Sequence, residues 1–556
     1  MFTYLRLIGF CFLCLVSTSV CDICSTCSCS ATSKSNRASP VVNEGPIINC
    51  HGKHLGTDDM LNFDLLMLDE RQASNALILS KNNIVNLSGP LLKKLKLLKS
   101  LDLSENLMKE IHTRIFADLN NLEDLNLSKN ELATFDDSLL EMLPALLALD
   151  LSYNQISVIE HRISKSATKI NFLDLSHNNV TSLPNMFFNS LSNLQHLDLS
   201  FNRIHTFQDD SLMRLNSLKT VYIRNNLLTS LRMQIFPKSL VELHSGYNSI
   251  AEVFYEPSPI KVLNIEHNRI SEIHSNLTAL EYLERLNVSG NAITNFPNIL
   301  LENLNTLDVS SNKLPNIPEA ISMKNFPLLV HLNVSENPIR NLALRSDLTL
   351  HTFVARNISM LETISKDTFA KLRARSNDCI NLTVSNNGRL SSVHEEALEH
   401  MNLCSLDLSN NQITYISKKV ILRNASSATY NVNLQGNPFK CNCSLQWMLS
   451  DLVPKLYTTH PEHLNNLRCA WPPQISNMRM VHWYRWKEQV FCTSDFREEL
   501  TMNVAGVSND RVTLDSSPAA IIILGAAVGV LTILIIVGFI WTQRVSMRKR
   551  RMNRKF

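Results

Sequence analysis

LLALDLSYNQI (residues 146–156), INFLDLSHNNV (170–180) and LQHLDLSFNRI (194–204) repeat one phrase at intervals of 24 residues. Within LDL, strand alternation sends the two leucines to one face and the aspartate between them to the other. A lone strand cannot hide that apolar face, but stacked copies in a parallel sheet can, each covering the next. The asparagine sits where the chain leaves the strand, where its amide satisfies backbone groups of the neighbouring turn. Losing such a buried partner costs on the order of 1 to 3 kcal/mol. The leucines and asparagines are therefore framework, with no ligand role assigned to them.

Working outward, LKSLDLSENLM, LEDLNLSKNEL, LKTVYIRNNLL, IKVLNIEHNRI, LERLNVSGNAI, LNTLDVSSNKL and LCSLDLSNNQI fit the same pattern, LxxLxLxxNxL. Asn82, Asn106, Asn130, Asn154, Asn178, Asn202 and Asn226 keep the spacing of 24. The register then loosens through Asn248, Asn268, Asn291, Asn312 and Asn337 and returns at Asn387, Asn411 and Asn437, with room for one degenerate unit around HTFVARNISM. The pattern resembles the leucine-rich repeat family over roughly residues 74–440, in about sixteen units. The resemblance implies an α/β solenoid, a horseshoe whose concave side is a parallel sheet.

Solenoids need closed ends. Cys24, Cys27, Cys29 and Cys50, with IINCHGKHL, look like the N-terminal cysteine cap of extracellular leucine-rich repeat proteins, here over 20–73. That resemblance pairs Cys24 with Cys29 and Cys27 with Cys50, leaving Cys21 over. NPFKCNCSLQWM with Cys441, Cys443, Cys469 and Cys492 resembles the C-terminal cap, over 441–492, and the family pairs first with third and second with fourth. Cys379 and Cys404 occupy early strand positions in adjacent repeats; they either bridge two coils or form a reduced, buried pair. Clustered cysteines favour disulfides in an oxidising compartment over zinc, which C-x-C spacing does not suit.

The ends read as targeting segments. Residues 1–19 combine Arg6, an apolar core and small residues at Ser17 and Ser19, as in a cleaved secretion signal. Residues 493–518 show no repeat and read as a stalk. Ala519 to Trp541 is an uncharged run of 23 residues, long enough to cross a bilayer as a single transmembrane helix. TQRVSMRKRRMNRKF (542–556) follows with seven Lys and Arg and no acid, which places it in the cytosol and everything upstream outside, as in a type I plasma-membrane protein. The basic tail either binds anionic lipid or serves as a stop-transfer anchor. Gly525 and Gly529 form a GxxxG that suits lateral pairing of two such helices, a homodimer.

Enzyme constellations are missing from the sequence: no G-x-S-x-G, no phosphate-binding glycine loop, no EF-hand. HEEALEH (394–400) has histidines six apart, on different helical faces, so neither metal nor other cofactor is expected. The formal net charge of +3 gives no sign of a nucleic-acid partner. Toll-like receptors, whose outer part this resembles, carry a globular signalling domain inside that fifteen tail residues cannot make.

A protein ligand is the expected partner. The variable column before each asparagine reads Lys81, Glu105, Lys129, Tyr153, His177, Phe201, Asn225, Tyr247, His267, Gly290. Strand positions facing solvent add Phe172, His196, Tyr222, Arg224 and His244. Exposed aromatics with arginine are the composition of interface hot spots, so Tyr153 to His267 is the candidate concave face. Sequons at Asn126, Asn287 and Asn333 lie between strand leucines and put glycans on the concave face; Asn86, Asn179, Asn276, Asn357, Asn381 and Asn424 are further acceptors. None falls on a concave strand inside the aromatic block. His177, His196, His244 and His267, near Asp174 and Asp198, predict binding that changes between pH 7 and 5.5. The expectation is cell-surface recognition, in adhesion or as a non-signalling co-receptor in innate immunity or development; the alternative is a trafficking scaffold for another receptor.

Overall fold

The computed structural model describes residues 27–30, 47–56 and, with gaps, 75–492; the gaps fall at 88–91, 93–94, 161–168, 185–186, 208–211, 376–378, 423–429 and 484–489. The leader, Cys21, Cys24, Asn424, the stalk, the apolar run with Gly525 and Gly529, and the basic tail lie outside the described residues. No helix among the described residues is long and apolar enough to cross a membrane.

The LDL triplets become three-residue strands of one 18-stranded sheet. It opens with an antiparallel pair, Ser28–Ser30 on Ile47–Asn49, and every later pairing is parallel. In the middle of the solenoid Leu149, Leu173 and Leu197 lie side by side, as do Asp150, Asp174 and Asp198. Leu149, Leu151, Leu173, Leu175, Leu197 and Leu199 are wholly buried. At about 25 cal/mol per Å² of apolar surface, this stacked column is what holds one coil to the next.

The asparagines fasten that column. Asn178 Nδ2 donates to the carbonyl oxygens of Leu175 and Ser176 in its own turn and of Leu151 one coil back, at 3.0 to 3.1 Å. Its Oδ1 accepts from Ile156 N, also one coil back, at 2.9 Å. Asn106, Asn130, Asn154, Asn202 and Asn226 repeat the arrangement.

The helical layer implied by an α/β solenoid is not what the described residues form. Opposite the sheet lie short parallel strand pairs, such as Thr134–Asp136 with Val158–Glu160 and Ser230–Arg232 with Glu252–Phe254, and 3-10 turns such as Phe187–Ser190. Within the repeats the described α-helices, Leu139–Met142 and Lys418–Leu422, have four and five residues. The fold is a parallel β-solenoid. The eleven-residue motif leaves about 13 of 24 residues to cross the coil and return; extended chain at about 3.3 Å per residue spans that distance, and a helix at about 1.5 Å does not.

Disulfides join Cys27 to Cys50 at the front, and Cys441 to Cys469 and Cys443 to Cys492 at the back. A fourth, Cys379 to Cys404, ties two neighbouring coils.

Candidate protein-binding face

The residue before each asparagine takes a left-handed backbone. Tyr153, His177, Phe201, Asn225, Tyr247 and His267 have φ between 48° and 56°, and Gly290 has 67°. This twist lets the asparagine turn inward while its predecessor stands out at the rim of the concave face. For bulky L-residues the conformation costs on the order of 1 kcal/mol, and it suits Gly and Asn. Asn225, Gly290, Asn386, Asn410 and Gly436 fill the same column accordingly. Tyr, His and Phe at 153, 177 and 201 are therefore not chosen by the backbone.

Their rings stack. Tyr153 and His177 lie 3.9 Å apart at 10°, and His177 and Phe201 4.0 Å apart at 11°. Asn225 interrupts the row, which resumes as Tyr247 on His267 at 4.3 Å. The His267 ring then covers Gly290, where a Cβ would lie 2.5 Å from His267 Nδ1. On the strands, Tyr222 stacks on His244 at 4.6 Å, and Phe172 and His196 stand 6.4 Å apart. The block is thus two short ladders rather than one continuous row, and ring edges, more than faces, meet solvent. Even so, Tyr153, Phe201 and Tyr247 remain 50%, 45% and 42% exposed. Tyr222, Arg224 and His244 are half-buried. Arg224 is already engaged: it donates to Glu266 at 2.7 Å and lies 5.6 Å from the centre of the Tyr247 ring.

Between the strand aromatics and the rim runs the aspartate row. Asp150, Asp174 and Asp198 each accept from the backbone N–H of the serine two residues on, at 2.8 to 2.9 Å. Burial first, and then the neighbouring Asp198, push the Asp174 carboxyl up to about 7. Burial also raises that of Asp198. It lowers His177, His196 and His244 below the usual imidazole range, so these rings are neutral at pH 7. Asp174 is the group brought to about 7. The signal that finds this row in the sequence is the x of LxL, acidic in three consecutive repeats.

The sequon positions divide. Asn126 is 3% exposed and its Oδ1 accepts from the N–H and the Oγ of Ser128. Asn287 and Asn333 are half-buried, with Nδ2 on Glu266 and Asp308. Asn86, Asn276 and Asn357 are exposed; Asn179 and Asn381 are half-buried. His394 and His400 join no metal cluster: among the described residues no group of three or more His, Cys, Asp and Glu is placed to hold an ion.

Residues 75–132, 121–180 and 168–228 match the leucine rich repeat family model. Residues 75–228 are leucine-rich repeats by that match. No curated protein matches it. Among solved structures, this chain is similar to that of the Toll–Spätzle complex of Drosophila (18% identity, 75% of this chain and 71% of that one, TM-score 0.44). It is also similar to a leucine-rich repeat protein of Leptospira interrogans (23%, 66% and 90%, TM-score 0.46) and to the functional domain of InlJ from Listeria monocytogenes (19%, 77% and 76%, TM-score 0.41). At these identities the likeness is one of fold.

Proposed function

We propose that this protein is a cell-surface recognition molecule whose leucine-rich repeat solenoid binds a protein ligand on its concave side, acting in adhesion or as a co-receptor beside a signalling partner. The observation that carries the reading is the pair of stacked aromatic ladders. Bulky rings occupy left-handed positions that Asn and Gly fill without cost elsewhere in the same column, and they leave large edges in solvent. Innate immunity and development are the settings in which we place it.

Screening the full-length chain against a panel of secreted and cell-surface proteins tests this. Phe201→Asn keeps a residue type that the backbone accepts at Asn225, Asn386 and Asn410, so the variant is expected to fold as the wild type does. A ligand held by the wild type is expected to bind Phe201→Asn at least about 10-fold more weakly, the loss of one buried aromatic anchor. Ligands that bind both proteins equally contradict the proposal.

A further inference from the structure

Across the coils of residues 146–204 the concave face has the cross-section of a trough. One wall is the strand pair Phe172 and His196, and the other is the rim ladder Tyr153, His177 and Phe201. The floor between them is Asp150, Asp174 and Asp198, in register on adjacent strands and so about 10 Å long at the usual strand spacing. One oxygen of each carboxylate is taken by the serine two residues on; among the described residues no hydrogen bond or ion pair reaches the second. In the same column Asp308 Oδ2 accepts from Asn333 Nδ2 at 2.9 Å, and Asp407 has Arg356 at 3.9 Å. Arg224, whose charge also acts on Asp198, pairs with Glu266.

We propose that this trough takes a lysine or arginine side chain from an extended segment of the protein ligand, its cationic head on Asp174 and Asp198 and its stem between the two aromatic walls. The inference rests on the concave-face reading above and names the chemistry of its partner. Carboxylates below and π-faces beside a cation both favour it, and out of bulk water each is worth more than at an open surface. The protein displays the arrangement with a residue of its own: Arg224 pairs with Glu266 while lying over Tyr247. A bare divalent ion fits less well, because its ligands must converge to about 2.0 to 2.6 Å, and these carboxylates stand a strand spacing apart.

The groups facing Asp174 are Asp150 and Asp198 on the two flanking strands. His177, on the turn that follows Asp174, faces Asp198 and is held neutral by burial. A bound cation draws the proton from the floor, so binding strengthens as pH rises.

The test is selection from a displayed library of random dodecapeptides by the full-length chain at about pH 7.5, in parallel with an Asp174→Thr/Asp198→Thr variant. Thr383 occupies the same column, and threonine, unlike asparagine, creates no sequon with the serine two residues on. Peptides held by the wild type and lost by the variant are expected to carry a Lys or Arg. Replacing that residue by Gln is expected to weaken them ~10-fold or more, and so is lowering the pH to about 5.5. Peptides without a basic residue, or none that distinguish the two proteins, overturn the inference. A ligand lost by Phe201→Asn but indifferent to Asp174→Thr/Asp198→Thr would leave the concave-face reading standing and remove only the cationic one.

Discussion

Burial first, and then the like charges of Asp198 and Asp150, push the Asp174 carboxyl up from the ordinary 3.8 to about 7. Between those values the folded chain holds a proton that the unfolded chain has released, so stability falls as pH rises from about 4 to about 7 and stays lowered above. Asp174→Asn removes the titration. Because it completes a sequon with Ser176, it is best made in a host that adds no N-glycan. Relative to wild type it is expected to melt higher at about pH 8, by the equivalent of no more than about 4 kcal/mol, and to differ little at about pH 3.5. Thermal melts at both pH values check this, and an equal shift at both contradicts it. The sequence shows the aspartate and its place on the solvent side of the strand, but its proton affinity depends on burial, which periodicity does not state. Phe201 is similar: the column was legible, and Asn and Gly within it mark a left-handed position, but the stacking that turns ring edges outward appears only once coils are in register.

At the scale of the element, the unit is a strand, an asparagine turn and a return. Strand and turn were legible because both obey fixed offsets: the strands of the central coils end on the residue between two buried leucines, and each framework asparagine bonds the coil before it. The return was not, since its residues keep no period and length alone decides between helix and 3-10 turn. The turn also says how coils fail. Asn178→Ala leaves the N–H of Ile156 without its partner, while the carbonyls of Leu151 and Leu175 each lose one of two donors and keep Asn154 and Asn202. At roughly 1 to 3 kcal/mol for a buried unpaired group, it is expected to destabilise by about that much. Because repeats contact only their neighbours, amide exchange is expected to rise first between residues 146 and 204. Uniform acceleration along the whole solenoid would show that the asparagines act otherwise.

For the whole molecule, a sheet that runs from Ser28–Ser30 to Asn431–Asn433, closed at each end by disulfides, is a long one-dimensional scaffold. Its concave columns carry no common chemistry except in one block: carboxylates on the floor, rings on both sides, and no sequon on the intervening strands. The disulfides between Cys441 and Cys469 and between Cys443 and Cys492 seal the far end, away from that block. The most direct measurement is a hydrogen-exchange footprint of the full-length chain with a captured protein ligand. Protection is expected over Ala148–Asp150, Phe172–Asp174 and His196–Asp198 and the turns that follow them, with none at Ser230–Arg232 and Glu252–Phe254 on the opposite side. Protection confined to that opposite side, with the aromatic block exchanging as in the free protein, would contradict the claim that this face binds.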